Sequence, residues 1–325
     1  MHFQWHILDH CNLRCKHCYQ EEIQTKMSYD KALEALDKMK TFADYMDEND
    51  DIKTENSIAL TGGEPLLYDK LIDLCKEIND KGFSLRVLTN GTVIDEAKVE
   101  EFKELPDLEF IQISLDGLKE THDYIRGEGN FDKAVEGLKI LIKAGIKTSV
   151  SFTANDVNYK EFYGLAEYLA GIDADFIWTD RMVPMGNGID MPIITTEHFK
   201  ELLYQIEKAK NELNIEVGNS RALQFMFSGQ CQYSCHAGNH MLIVMPNGDI
   251  LPCRRMPVKV GNIFEDDLKK VYFDSPFLKY LRNDDNIDES CKTCSYVKKC
   301  KGGLKCVSYA LTGNPFMKDI NCFLR

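Results

Sequence analysis

Three cysteines fall within one short run, Cys11-Asn-Leu-Arg-Cys15-Lys-His-Cys18, and no other stretch constrains this chain so much. The spacing is C-x3-C-x2-C, and the next cysteine is Cys75. A [4Fe–4S] cluster usually takes four thiolates. Three thiolates leave one iron open to bind something other than protein. That turns an electron store into a reaction site. The competing readings are a zinc site and a disulfide pair. Zinc knuckles favour C-x2-C with a distant second pair, and a disulfide needs partners rather than an odd three. The spacing and the next motif along the chain favour the cluster.

That next motif is Thr61-Gly62-Gly63-Glu64-Pro65, after the apolar run Ser57-Ile58-Ala59-Leu60. Many strand-to-helix turns contain such a glycine pair. Its order after the three-cysteine loop is more specific. Together the segments resemble the radical S-adenosylmethionine (SAM) family. There, the open iron chelates SAM, and SAM is cleaved to methionine and a 5′-deoxyadenosyl radical that abstracts a substrate hydrogen. The resemblance implies that Cys11, Cys15 and Cys18 are cluster ligands. It also implies that Gly62, Gly63 and Glu64 hold the methionine amino end. Glycines let backbone approach a ligand, and a carboxylate suits an ammonium group.

The chain has 325 residues, enough for one large and one smaller domain. It has no apolar run long enough to span a membrane and no signal peptide at Met1. Twelve cysteines without an export signal point to metal rather than disulfides and to a cytoplasmic setting. The net charge of −13 argues against a nucleic-acid partner. It serves solubility, and it would steer a basic peptide.

Residues 3–9 read as a strand. Ser28 caps a helix carrying Ala32, Leu33, Leu36, Met39 and Phe42 at helical spacing. Residues 45–56 read as an acidic, solvated loop. Strand–helix pairs then recur: helix 66–81, strand 85–88, helix 95–104, strand 110–114, helix 131–143, strand 146–152, helix 158–170 and strand 176–179. Six alternations predict an α/β fold with a parallel sheet, curled by right-handed crossovers into a barrel-like form. The family fold, a partial (β/α)6 TIM-like barrel, agrees. Chemistry in such folds sits at the C-terminal strand ends. The cysteine loop, Gly62–Glu64, Asn90, Ser114 and Asp116, Asn155 and Arg181 all fall there. A further helix covers 199–213. The rhythm stops near residue 218, which predicts a boundary between a barrel at 1–217 and a cysteine-rich domain at 218–325.

Ser114-Leu115-Asp116-Gly117 and the later His122–Gly127 segment are similar to one radical SAM branch. In that branch the serine and arginine, here Ser114 and Arg126, bind the SAM carboxylate. A guanidinium fork suits a carboxylate. The alternative for Arg126 is a surface ion pair near Glu128. Asp116 and His122 are candidate catalytic acid or base residues, or else an N-cap and a satisfied polar residue. The Arg181–Gly188 turn, with Met182, matches the family region that contacts adenine and closes the pocket. It also reads as a plain connector. Asn90 completes the candidate SAM contacts.

Eight cysteines lie in the last hundred residues: 231, 235, 253, 291, 294, 300, 306 and 322. Their count suits two fully ligated [4Fe–4S] clusters, with a zinc ribbon as the alternative for Cys291-x2-Cys294. Cys75 reads as a small buried residue. The spacing resembles the SPASM extension of radical SAM enzymes. That resemblance assigns Cys231, Cys235, Cys253 and Cys306 to an inner cluster, and Cys291, Cys294, Cys300 and Cys322 to an outer one. One departure is plain. Family members commonly have three residues where Lys301–Lys305 stand between Cys300 and Cys306, which weakens Cys306 as a ligand.

The resemblance implies an oxidoreductase with three [4Fe–4S] clusters and SAM. It would oxidatively modify a ribosomal peptide or protein side chain, forming a thioether or carbon–carbon crosslink. Its electron donor would be a flavodoxin or ferredoxin. The chain starts near its first strand, so either the barrel mouth or a separate leader-peptide-binding protein would present the substrate. Other readings are peptide epimerisation, tetrapyrrole biosynthesis and anaerobic formylglycine formation. Against the last, that subfamily has an aspartate where Arg254 follows Cys253. An iron–sulfur electron carrier, the non-enzyme alternative, would need no SAM pocket.

Overall fold

The computed structural model describes residues 1–20, 25–49, 55–228 and 235–324. Cys231 lies outside the described residues, as do positions 50–54 of the acidic stretch. The strands are β1 (His2–His6), β2 (Ser57–Thr61), β3 (Ser84–Thr89), β4 (Leu108–Ser114), β5 (Thr148–Ala154), β6 (Phe176–Arg181) and β7 (Glu216–Gly218). Between them run α1 (Tyr29–Asn49), α2 (Leu71–Asp80), α3 (Glu96–Lys103), α4 (Lys119–Arg126), α5 (Asn130–Lys143), α6 (Phe162–Ala170) and α7 (Thr196–Glu212). Strands β1 to β7 pair in chain order, all parallel. This is the expected α/β partial barrel, extended by a seventh short strand that the sequence pattern does not show.

The sheet continues past β1. Strand β8 (Met241–Val244) pairs parallel to β1, with His2 opposite Met241. Strands β9 (Asp249–Leu251) and β10 (Gly261–Asn262) are added antiparallel. The cysteine-rich segment therefore adds its own strands to the barrel sheet. The expected boundary after residue 217 falls inside β7.

Helix α1 shows what positions these layers. Ala32, Ala35, Leu36, Met39, Phe42, Ala43 and Met46 form its buried stripe. Phe42 meets Phe3 of β1 edge-on at 6.4 Å, a contact worth about 0.5–1.5 kcal/mol beyond the buried area. The stripe carries the helix to Asn49, so the loop expected from residue 45 begins later. Met46 is buried and Tyr45 packs on Phe273. Acidic neighbours mask that apolar spacing in the sequence. Helix α4 is also absent from the sequence expectation. Its sequence is mostly polar, yet His122, Asp123 and Ile125 are buried. The helix expected at 66–81 splits into a 3-10 turn, Pro65–Leu67, and α2. In α2, Cys75 is fully buried, as the sequence suggests.

Candidate active site

The cysteine loop leaves β1 and is gripped from three directions. From the β2 side, Gly63 N–H donates to Leu8 O at 2.8 Å and Glu64 N–H donates to His10 O at 2.9 Å. From α4, Ile125 O accepts from Lys16 N–H at 2.9 Å. From the turn after β6, Asn187 N–H donates to Cys18 O at 2.8 Å. The turn thus braces the cysteine loop and is more than a connector. The glycine pair serves the first grip. A Cβ on Gly62, at φ +152°, would stand 2.3 Å from Leu8 O, and one on Gly63 2.1 Å from His10 O. Any side chain there would push the loop off the sheet.

Cys11, Cys15 and Cys18 line one cavity of about 560 Å³. Gly62, Gly63, Asn90, Ser114, Arg126 and Met182 line it too. Donors reach the sulfurs. Leu13 N–H and Asn90 Nδ2 lie 3.4 and 3.8 Å from Cys11 Sγ, and Arg126 Nη1 lies 3.9 Å from Cys15 Sγ. Donors around sulfur are the usual outer partners of a cluster, so the residues present fit a three-thiolate site. Among the described residues no three ligating side chains close around a single metal ion. Burial pushes the Cys15 thiol up to about 11 and raises that of Cys11. Metal ligation would replace those protons.

Arg126 is almost wholly buried, and its Nε donates to Asp116 Oδ2 at 2.5 Å. His17 Nε2 stands 3.1 Å from the same oxygen. Burial opposes the Asp116 charge, but Arg126 and His17 hold its carboxyl well below the usual range. Burial likewise opposes the Arg126 charge, and Asp116 and Cys15 restore it. Asp116 Oδ1 accepts from Thr153 N–H at 2.7 Å. Asp116 is therefore the counter-charge that aims Arg126, and Arg126 is no surface residue paired with Glu128. His122 Nδ1 accepts the Asp116 N–H at 3.3 Å, and its ring packs edge-on against Phe131. Burial and then Arg126 lower its pKa to about 4. Neither Asp116 nor His122 lines the cavity. The structure encloses both behind the cavity wall where the acid–base roles expected of them would act; Asp116 is engaged through both oxygens, and His122 through Nδ1, while its Nε2 has no partner among the described residues.

Glu64 also departs from expectation. Its carboxylate is buried and takes three donors: Thr89 Oγ1 at 2.6 Å, Asn90 N–H at 2.8 Å and Leu66 N–H at 3.1 Å. Burial raises its pKa to about 6 against those donors. It ties the β2 turn to the end of β3, and the backbone of Gly62 and Gly63, not this carboxylate, lines the cavity. Ser114 Oγ sits 3.4 Å from Ser151 Oγ. Two contributors carry no sequence pattern. Asn12 accepts from Asn90 Nδ2 at 2.9 Å, and Gln20 Nε2 donates to Gly62 O at 2.8 Å.

The later cysteines among the described residues gather in two places. Cys253 and Cys306 lie within electrostatic reach of Cys235 and of each other. Cys291 and Cys300 lie within reach of Cys322. Cys294 comes after Cys291 on one turn, its N–H donating to Cys291 O. The unusual Cys300–Cys306 spacing is absorbed by a left-handed turn at Lys301, Gly302 and Gly303. A Cβ on Gly303 would stand 2.3 Å from Asp319 Cβ. Cys306 keeps its place near Cys253 despite the longer connection. Cys253 lines the same cavity as Cys11, Cys15 and Cys18.

Comparison with known proteins gives the family. Residues 5–169 match the radical SAM superfamily, and residues 235–295 match SPASM, an iron–sulfur cluster-binding domain. The AdoMet-dependent heme synthase of Methanosarcina barkeri is 23% identical, over 99% of this chain and 95% of its own length. The antilisterial bacteriocin subtilosin biosynthesis protein AlbA of Bacillus subtilis is 25% identical, over 99% of this chain and 70% of its own length. Among solved structures, Streptococcus suis SuiB bound to S-adenosylmethionine superposes with a TM-score of 0.77 at 19% identity. That match covers 99% of this chain and 77% of SuiB. At such identity the likeness concerns the fold. No helix among the described residues is long and apolar enough to cross a membrane.

Proposed function

Because this chain belongs to the radical SAM superfamily and carries a SPASM segment, we propose that it cleaves SAM and oxidatively crosslinks a peptide or protein side chain. Cys11, Cys15 and Cys18 would hold the SAM-cleaving cluster. Cys231, Cys235, Cys253 and Cys306 would hold the inner auxiliary cluster, and Cys291, Cys294, Cys300 and Cys322 the outer one. Bound there, these groups and SAM supply a 5′-deoxyadenosyl radical and an acceptor for one electron. The chain's own residues orient the ligands. The Gly62 and Gly63 backbone would face the methionine amino group. Arg126, aimed by Asp116, and Ser114 would receive its carboxylate. Asn90 steadies the Cys11 side, and Met182 offers an apolar wall for adenine.

The supporting observation is the shared cavity. Its wall includes both the Cys11–Cys18 loop and Cys253, so one substrate can lie between the two sites. Loss of a hydrogen atom, bond formation and loss of a proton leave one electron over. The Cys253 side is where that electron would leave the substrate, and a flavodoxin or ferredoxin would supply the first one. A separate leader-peptide-binding protein remains a proposed partner. SuiB has also been solved bound to precursor peptide SuiA, which supports a peptide substrate for a protein of this fold.

The test is anaerobic turnover with SAM, dithionite and a candidate precursor peptide. The expected product lacks a pair of hydrogens and forms about one-to-one with 5′-deoxyadenosine, since each oxidation consumes one radical. Replacing Cys11, Cys15 and Cys18 by Ala should abolish 5′-deoxyadenosine while leaving about eight irons per chain. Solvent deuterium in a product of unchanged mass in ordinary water would instead select epimerisation.

A tetrapyrrole substrate is the second reading, and one observation favours it. Seven arginines line the cavity (Arg14, Arg86, Arg126, Arg181, Arg221, Arg254 and Arg255) against Asp9 and Asp180. Carboxylates behind the wall pair with three of them (Asp116, Asp319 and Glu109), yet the face turned to the cavity is rich in guanidinium groups in a chain of net charge −13. Guanidinium groups suit carboxylates, which tetrapyrroles carry in numbers, and the heme synthase matches nearly end to end. Mass spectrometry after turnover with Fe-coproporphyrin III separates the two readings.

A further inference from the structure

The positive charges on the cavity wall are unevenly neutralised. Arg126 meets Asp116 at 2.5 Å, Arg181 meets Asp319 at 2.6 Å, and Arg86 meets Glu109 at 2.7 Å. Arg255 meets Asp180 at 2.9 Å, and Arg221 stands 3.9 Å from the same carboxylate. Arg254 differs. Among the described residues its guanidinium makes no hydrogen bond or ion pair, and its Nε is buried without a partner. It lies over the Tyr19 ring at 5.4 Å. Asp9 feels its charge but is not paired with it.

The position is informative. Arg254 directly follows Cys253, just after β9, and faces Tyr19, which directly follows Cys18. It therefore stands where the Cys11–Cys18 loop and the Cys253 segment approach each other on the cavity wall. A half-buried guanidinium with no carboxylate paired to it among the described residues carries a desolvation cost that an anionic ligand would offset. Its planar fork binds a carboxylate through two parallel bonds.

We propose that Arg254 anchors the substrate by binding one of its carboxylates, setting the reacting carbon between the Cys11–Cys18 loop and Cys253. The inference rests on the reading that this cavity holds the substrate. Arg254 is a positioning and specificity residue, and its target is a carboxylate-bearing molecule. That carboxylate belongs either to a tetrapyrrole side chain or to an acidic peptide residue.

Equilibrium dialysis of the anaerobic holoenzyme with two probes, coproporphyrin III and hexaglutamate, distinguishes the sources. The wild type should bind one of them. Arg254→Gln, with iron content confirming the fold, should weaken that binding roughly ten- to a hundredfold, the range for a hydrogen bond to a charged group. Arg254→Lys should recover part of the loss. Added salt should weaken wild-type binding more than that of Arg254→Gln. Binding of neither probe, unchanged affinity in Arg254→Gln, no recovery in Arg254→Lys or equal salt dependence would overturn the inference. The broader reading fails separately. Probe loss in Arg254→Gln together with full product formation by Cys253→Ala would keep the anchor and remove the oxidative role of the Cys253 side.

Discussion

Arg181, the last residue of β6, grips Asp319 with two parallel contacts of 2.6 Å across 138 positions of sequence. Its Nη1 also donates to Asn321 Oδ1 at 2.6 Å, and the guanidinium lies over Phe199 at 4.5 Å. Asp319 accepts the N–H groups of Leu304 and Asn321, and its carbonyl takes that of Cys322. One barrel strand thus holds both the tail that carries Cys322 and the loop that leads to Cys306.

Cutting this pair should loosen the cysteine-rich end. Both side chains are almost wholly buried, so Asp319→Ala leaves a charge without its partner. The expected loss is about 3–5 kcal/mol, measured by urea unfolding, with iron lost from the auxiliary sites before the first. Full stability and full iron would show that the pair holds nothing.

The glycine pair gives a steric prediction. Gly63→Ala places a methyl against His10 O, which neither backbone can avoid. It should cost the iron of the Cys11–Cys18 site while the auxiliary iron stays. Gly145→Ala is the control. Its Cβ meets nothing within 4 Å, so only φ strain of about 1 kcal/mol remains. Normal iron in Gly63→Ala would contradict the grip described for the loop.

SAM binding should depend on Arg126 and, through it, on Asp116. Arg126→Ala should weaken SAM binding by roughly 1.5–3 kcal/mol. Asp116→Asn should weaken it less, because the guanidinium stays but loses the partner that aims it. Equilibrium dialysis with labelled SAM would show this order. An unchanged dissociation constant in Arg126→Ala would remove the assigned role.

His122 gives a pH dependence. Its folded pKa of about 4 lies below the ordinary 6.5. Between those values the unfolded chain binds the proton and the folded one does not, so stability should fall as pH drops from 6.5 towards 4. Arg126, Asp116, Asp123 and His17 are the charged or titratable groups whose charges it feels. His122→Gln should flatten that part of the profile by up to about 3 kcal/mol. An identical slope in denaturation midpoints from pH 4 to 6.5 would refute the assignment.

The sequence by itself determined the class of chemistry and the order of the barrel. Cysteine spacing, the glycine pair and the strand–helix rhythm are local patterns, set by ligand reach and by backbone periodicity over a few residues. What Asp116, His122 and Glu64 do was decided only by tertiary structure. Each is polar and sits at a strand end or an adjoining helix, so each reads as catalytic or ligand-binding until its neighbours are known. Folding enclosed all three, engaged both carboxylates and gave His122 Nδ1 a backbone partner. The sheet's continuation through β8 was equally hidden. Its partner is β1, more than two hundred residues earlier, and a pairing across that distance leaves no local period to read. The same holds for Arg181 and Asp319 and for the guanidinium of Arg254, which is unpaired among the described residues. An ion pair, or the lack of one, is a property of where distant segments meet.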